Sequence, residues 1–240
     1  MIPRLSGALS MRSILQPLHN PMSSSANKMI RILFGIACLA LLSGPTSAAS
    51  LLVLGDSLSA GYGIPREQGW VSLLSQRLQQ RGYALDVVNA SVSGETTSGG
   101  LARLPSLLET HSPALVLIEL GANDGLRGTP LEVVRGNLDR LVTQSQQAGA
   151  RVLLIGNHLP PNYGPQYATA FFNLFAEVAD ERDVALVPFF LDGVAQNLDL
   201  MQRDGLHPSA EAQPRLLETV WSGLEPLLVQ WSLVKTKRAP

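Results

Sequence analysis

The run Leu51-Leu52-Val53-Leu54 contains no polar residue and stops at Gly55-Asp56-Ser57. A strand with one face in water alternates apolar and polar residues, so a short all-apolar run ending in turn residues reads as a strand buried on both faces. Further strand signals fall at 84–88, 114–118, 152–155 and 185–187. Between them apolar residues return every three or four positions, as on one face of a helix. Trp70, Leu74 and Leu78 form the first such stripe, stopped by Gly82, and Leu101, Leu104 and Leu108 the second. Leu131, Val134, Leu138 and Leu141 form the third, opened by Thr129-Pro130 as N-cap and first-turn proline and ended by Gly149. A helix is expected over 166–182. The last begins near Ser209, with Leu217, Trp221, Leu224, Leu228 and Trp231 inward and Pro226 bending it. Five β units alternating with helices predict a three-layer α/β/α sandwich around a mostly parallel five-stranded sheet.

The first fifty residues do not fit this scheme. Lys28 and Arg31 flank Met29, an apolar run follows over 32–42, Gly44 and Pro45 break it, and Ser47-Ala48-Ala49 are small. That order is a secretory signal peptide, with cleavage expected after Ala49. The run falls short of the roughly 20 residues a membrane-spanning helix needs. The expected organisation is an upstream extension over 1–28, a signal over 29–49 and one globular domain over 50–240. Met1, Met11, Met22 and Met29 are alternative starts, and the signal favours Met29.

Cys38, the only cysteine, lies in the apolar run. The processed domain would therefore hold no disulfide, no cysteine nucleophile and no thiolate zinc site. Four of the eighteen basic residues and none of the nineteen acids precede Ser50, leaving a formal net charge of −5. A domain of that charge, without a basic stripe, is a poor nucleic-acid binder. The basic tail Lys235-Thr236-Lys237-Arg238 reads as a frayed end.

Four stretches fall at strand ends or loops on one edge of the expected sheet: Gly55 to Tyr62, Asn89 to Gly94, Gly121 to Gly125, and Asp204 to Pro208. Each alone is ordinary turn chemistry. Together they hold a serine, a histidine with an aspartate three residues before it, and several amide donors, the inventory of acyl transfer through a serine. No G-x-S-x-G elbow surrounds any serine, which argues against the α/β-hydrolase fold.

The blocks GDSLSAGY, SVSG, GAND and DGLHP resemble, in order and spacing, the signature blocks of the SGNH (GDSL) hydrolases. NASVSGETTSGGLARLP, ELGANDGLRG, LPPNYG and DGLHPSAEAQP resemble its secreted branch of thioesterases, lysophospholipases and arylesterases. The resemblance implies a flavodoxin-like SGNH fold and a serine esterase or thioesterase without metal or cofactor, monomeric and exported to the periplasm. It implies Ser57 as nucleophile, His207 as base and Asp204 as the acid that orients it. The oxyanion would be held by the backbone N–H groups of Ser57 and Gly94 and the side-chain amide of Asn123. Leu126, Pro160 and Tyr163 would border the acyl site. Asp56 and Asp124 are expected to be structural, bonding loop amides, and His158 a packed or solvated loop residue. Ala122 stands where many relatives have glycine, and its methyl group would bear on chain-length preference. The competing readings are a carbohydrate O-deacetylase of the same superfamily and a non-catalytic binding module on this fold.

Overall fold

In the computed structural model, residues 49–231 are described. The upstream extension, the signal up to residue 48, Cys38 and the basic tail lie outside the described residues. The strands are β1 (Ala49–Gly55), β2 (Leu85–Asn89), β3 (Leu115–Glu119), β4 (Arg151–Ile155) and β5 (Ala185–Val187). The helices are α1 (Ser57–Ala60), α2 (Trp70–Gln80), α3 (Thr97–His111), α4 (Ala122–Leu126), α5 (Leu131–Gln147), α6 (Pro165–Arg182) and α7 (Gln213–Gln230). One sheet runs in the order β2-β1-β3-β4-β5, and every neighbouring pair is parallel.

The all-apolar runs are explained by burial on both faces. Leu51, Val53, Leu115, Leu117, Leu153 and Ile155 point to a core shared with α2 and α7. Leu52, Leu54, Val116, Ile118, Val152 and Leu154 point to a second core shared with α3, α5 and α6. Neighbouring positions on each strand thus serve opposite layers, as the two-residue period of a strand requires.

Two helix starts differ from expectation. Pro130 is the N-cap of α5 with extended backbone, and Thr129 lies outside the helix. The Thr129 N–H donates to the Asp124 carbonyl, and its own carbonyl accepts from the Tyr167 hydroxyl, so tertiary partners hold it away from a capping position. At the other end, Ser209 precedes a 3₁₀ turn (Ala210–Ala212), and α7 begins only at Gln213.

The strand order reverses direction between β1 and β3, the point at which open α/β sheets leave a crevice beyond the strand ends. The chain leaving β1 enters α1, and the chain leaving β3 enters α4.

Candidate active site

Ser57 is the first residue of α1, a single helical turn. Asp56 caps it, its carboxylate Oδ1 accepting from the Leu58 N–H at 2.9 Å. The helix lies so close to the end of β1 that a Cβ on Gly55 would come within 2.7 Å of Ser59 Cβ and Oγ. Glycine is needed there for the close approach.

His207 arrives on a loop between an isolated bridge partner, Pro208, and the turn at Asp204. Its Nε2 lies 3.0 Å from Ser57 Oγ, and its Nδ1 lies 2.7 Å from Asp204 Oδ2. Asp204 Oδ1 also accepts the backbone N–H groups of Leu206 at 2.9 Å and His207 at 3.0 Å. The His207 backbone N–H, its ring and the Leu206 N–H hold the Asp204 carboxyl down at about 2. An ionised carboxylate only accepts, so Nδ1 carries the imidazole proton. Nε2 of the neutral ring is then free to accept from the Ser57 hydroxyl. Tyr62 packs on the imidazole with ring centroids 4.5 Å apart.

Asn123 sits in α4, a turn-rich stretch that nonetheless forms one helical turn. Its Nδ2 donates to Asp56 Oδ2 at 2.9 Å and to the Glu95 carbonyl at 3.0 Å. Gly94 has φ of 78°, and an added Cβ would approach only Arg127 Nη2, at 3.9 Å. Backbone conformation rather than crowding therefore requires glycine there. The Gly94 carbonyl accepts from that arginine at 3.1 Å.

Asp124 is buried and binds Thr97 through both oxygens, the backbone N–H at 2.8 Å and Oγ1 at 2.7 Å. It is structural, but the amide it accepts is the first of α3 rather than one in a loop. Asp56 caps α1 in the same manner but also reaches Asn123, which the sequence did not suggest.

Glu119, at the end of β3, is a functional-site neighbour that sequence reasoning missed. It is 0% exposed and receives the Ser59 hydroxyl at 2.7 Å and Asn157 Nδ2 at 3.1 Å. The signal was an acid closing an otherwise apolar run. Burial, then the nearby Asp56 charge, raises the Glu119 carboxyl well above its usual range. Burial also raises Asp56, to about 6, against the pull of the Leu58 N–H. Each carboxylate thus disfavours ionisation of the other, and burial disfavours it in both.

Ser57 and His207 open onto a cleft of about 590 Å³. Leu126, Leu159, Pro160, Phe172, Phe189, Leu191 and Met201 supply most of its apolar wall. Ala122 and Asn157 also line it. Leu126 and Pro160, both named from the sequence, line this cleft. Tyr163 does not line the cleft; its hydroxyl donates to the Leu126 carbonyl at 2.9 Å, bracing that wall from behind. His158 is exposed at the rim, with its ring 5.4 Å from that of Phe172 and 5.8 Å from that of Phe189. Among the described residues no cluster of three or more His, Cys, Asp or Glu could hold a metal ion, and no helix is long and apolar enough to cross a membrane.

A serine hydroxyl, an imidazole facing it, and an apolar cleft at the crevice of a parallel α/β/α sheet define a serine hydrolase of acyl groups. The chain belongs to the GDSL-like lipase/acylhydrolase family, whose model matches residues 53–214. It is 53% identical over 197 residues to Esterase TesA of Pseudomonas aeruginosa, covering 82% of this chain and 98% of that one. It is 43% identical to Thioesterase 1/protease 1/lysophospholipase L1 of Escherichia coli K12, covering 76% and 86% respectively. Among solved structures, the psychrotrophic esterase EstA of a Pseudoalteromonas species, inhibited by monoethylphosphonate, matches with a TM-score of 0.72 at 43% identity. That match covers 75% of this chain and 98% of EstA.

Proposed function

We propose that residues 50–240 form an exported, periplasmic, monomeric hydrolase that cleaves acyl esters and thioesters through an acyl-enzyme on Ser57. Acyl-CoA-like thioesters, lysophospholipids and aryl esters are its substrate classes. His207 takes the Ser57 proton as the hydroxyl attacks the acyl carbon and returns it to the leaving alcohol or thiol. Asp204 fixes the tautomer and balances the imidazolium that forms. The Ser57 and Gly94 N–H groups and the Asn123 amide take up the oxyanion, each such donor being worth about 100- to 1,000-fold in turnover. No metal or cofactor has a part in these steps. The observation that carries the reading is His207 bridging Asp204 at 2.7 Å and Ser57 at 3.0 Å at the mouth of an apolar cleft. A cleft walled by leucines and phenylalanines favours acyl tails over the acetyl group of an O-deacetylase. The basic-to-apolar order of residues 28–49 supports export, and the acidic charge speaks against a nucleic-acid partner.

The test is hydrolysis of p-nitrophenyl esters, acyl-CoA and an acetylated sugar by residues 50–240, beside Ser57→Ala. Turnover of the first two classes, reduced at least about 1,000-fold by the substitution, is expected. Equal rates for both proteins would refute the serine mechanism. Activity on the acetylated sugar alone would point to the deacetylase, and no turnover at all to a binding module.

A further inference from the structure

We propose that Asp56 is a positioning residue that sets which end of the Asn123 amide faces the nucleophile. This deepens the reading of Asn123 as an oxyanion donor and rests on it. A carboxamide presents an NH₂ group at one end and a carbonyl at the other, with nearly the same shape, so packing alone does not choose between them. Two neighbours choose here. The Asn123 atom that carries both contacts lies 2.9 Å from Asp56 Oδ2 and 3.0 Å from the Glu95 carbonyl oxygen. Both neighbours are acceptors, so only nitrogen satisfies them. The reversed amide would set a carbonyl oxygen against two acceptors and bring its negative end to the place where the oxyanion forms.

Asp56 cannot turn away from this task. It is 1% exposed, and its other oxygen is engaged by the Leu58 N–H at 2.9 Å. One carboxylate therefore ties α1, which carries Ser57, to α4, which carries Asn123. Each Nδ2 hydrogen has one protein acceptor, and the substrate oxygen joins one of them as a second acceptor in a three-centre bond. The Asp56 carboxyl, raised to about 6 by burial, is ionised and accepting in an assay run well above that value, at about pH 8. Mutual support of this kind is what holds a reacting group to within a fraction of an ångström.

The test uses Asp56→Asn, Asp56→Ala, Asn123→Ala and the Asp56→Asn/Asn123→Ala pair, with kcat and KM on a short p-nitrophenyl ester and the melting temperature of each. In Asp56→Asn the new side chain keeps an oxygen for the Leu58 N–H and turns its NH₂ toward Asn123, donor against donor. Its kcat is expected to fall about as far as that of Asn123→Ala, roughly 100- to 1,000-fold, with KM within about threefold. Asp56→Ala leaves the Glu95 carbonyl as orienting acceptor. It is expected to keep more kcat than Asp56→Asn while melting lower, because the helix cap is gone. A merely structural Asp56 would reverse the kcat ranking alone, leaving the isosteric variant better in both measures. On the Asn123→Ala background, Asp56→Asn is expected to cost less than about threefold more, since the group it positions is absent. The proposal is overturned if Asp56→Asn keeps more than about a tenth of the wild-type kcat, or if the two losses multiply in the double variant. If Asn123→Ala itself turns over at nearly the wild-type rate, the oxyanion reading fails, and the proposal fails with it.

Discussion

Glu119 is an acid with no exposed surface beneath the helix that carries Ser57. Its carboxyl titrates well above the ordinary 4.5 because burial penalises the charged form and Asp56 lies nearby. Between the unfolded value and the raised folded value, the native state binds more protons than the unfolded chain. Stability therefore falls as pH rises through that window and levels off above it. Asp56 contributes in the same sense between 3.8 and about 6. Glu119→Gln titrates in neither state and keeps a polar partner for Ser59 and Asn157. The variant is expected to gain melting temperature relative to the wild type as pH rises from 5 to 8, in thermal scans across that range. Parallel curves would show that Glu119 is ionised in the fold. At this scale the sequence was legible where residue types are distinctive: Ser57, His207 and Asp204 come together at the expected place. Glu119 and Asn157 were not legible, because their significance lies in partners up to 63 positions away, a distance no local pattern reports.

Among the elements, α1 depends most on a neighbour. A single helical turn has too few internal hydrogen bonds to stand alone, and α1 is held by the Asp56 cap, the Ser59–Glu119 bond and the close seat on Gly55. Gly55→Ala would drive a methyl group into Ser59 Cβ and Oγ at 2.7 Å and toward Glu119 Oε2 at 3.0 Å. The helix must shift, carrying Ser57 away from His207. A loss of stability of about 1–3 kcal/mol is expected from overpacking. A fall in kcat of about 100-fold is expected from misplacing the nucleophile by an ångström or so. Chemical denaturation and steady-state kinetics would measure the two, and unchanged kcat would mean that Ser57 does not rely on this seat. The strands were read to within two residues, most plainly β1, β3 and β4, whose buried cores leave an unambiguous apolar run. The stretch Gly121-Ala122-Asn123-Asp124-Gly125 was read as a loop because its residues favour turns. It is helical because Asp124 is clamped to Thr97 and Gly121 adopts φ of 118°. Tertiary bonds there override local preference.

At the level of the whole molecule, alternating strands and helices imply a parallel sheet but do not specify the strand order, since several orders satisfy the same alternation. The observed order sets β1 beside β3, so that α1 and α4 meet through Asp56 and Asn123 although 67 positions separate those residues. The cleft beside Ser57 draws on the same edge more widely. Leu126 follows β3, Leu159 follows β4, Phe172 belongs to α6, and Phe189 and Leu191 follow β5. Ser57 thus follows the first strand described, and most of the apolar wall comes from the second half of the domain. Burying each methylene of an acyl tail is worth about 0.8 kcal/mol, or roughly fourfold. kcat/KM is therefore expected to rise by up to about fourfold per methylene while the tail remains inside the cleft, and to level once it emerges. Phe172→Ala removes part of the wall and is expected to flatten that rise, lowering kcat/KM for octanoyl esters more than for butanoyl esters. Its kcat on the butanoyl ester should stay near the wild-type value, since Ser57, His207 and Asp204 do not rest on α6. A chain-length series on both proteins makes the measurement. A slope that is equally steep in the variant would place the tail elsewhere on the protein.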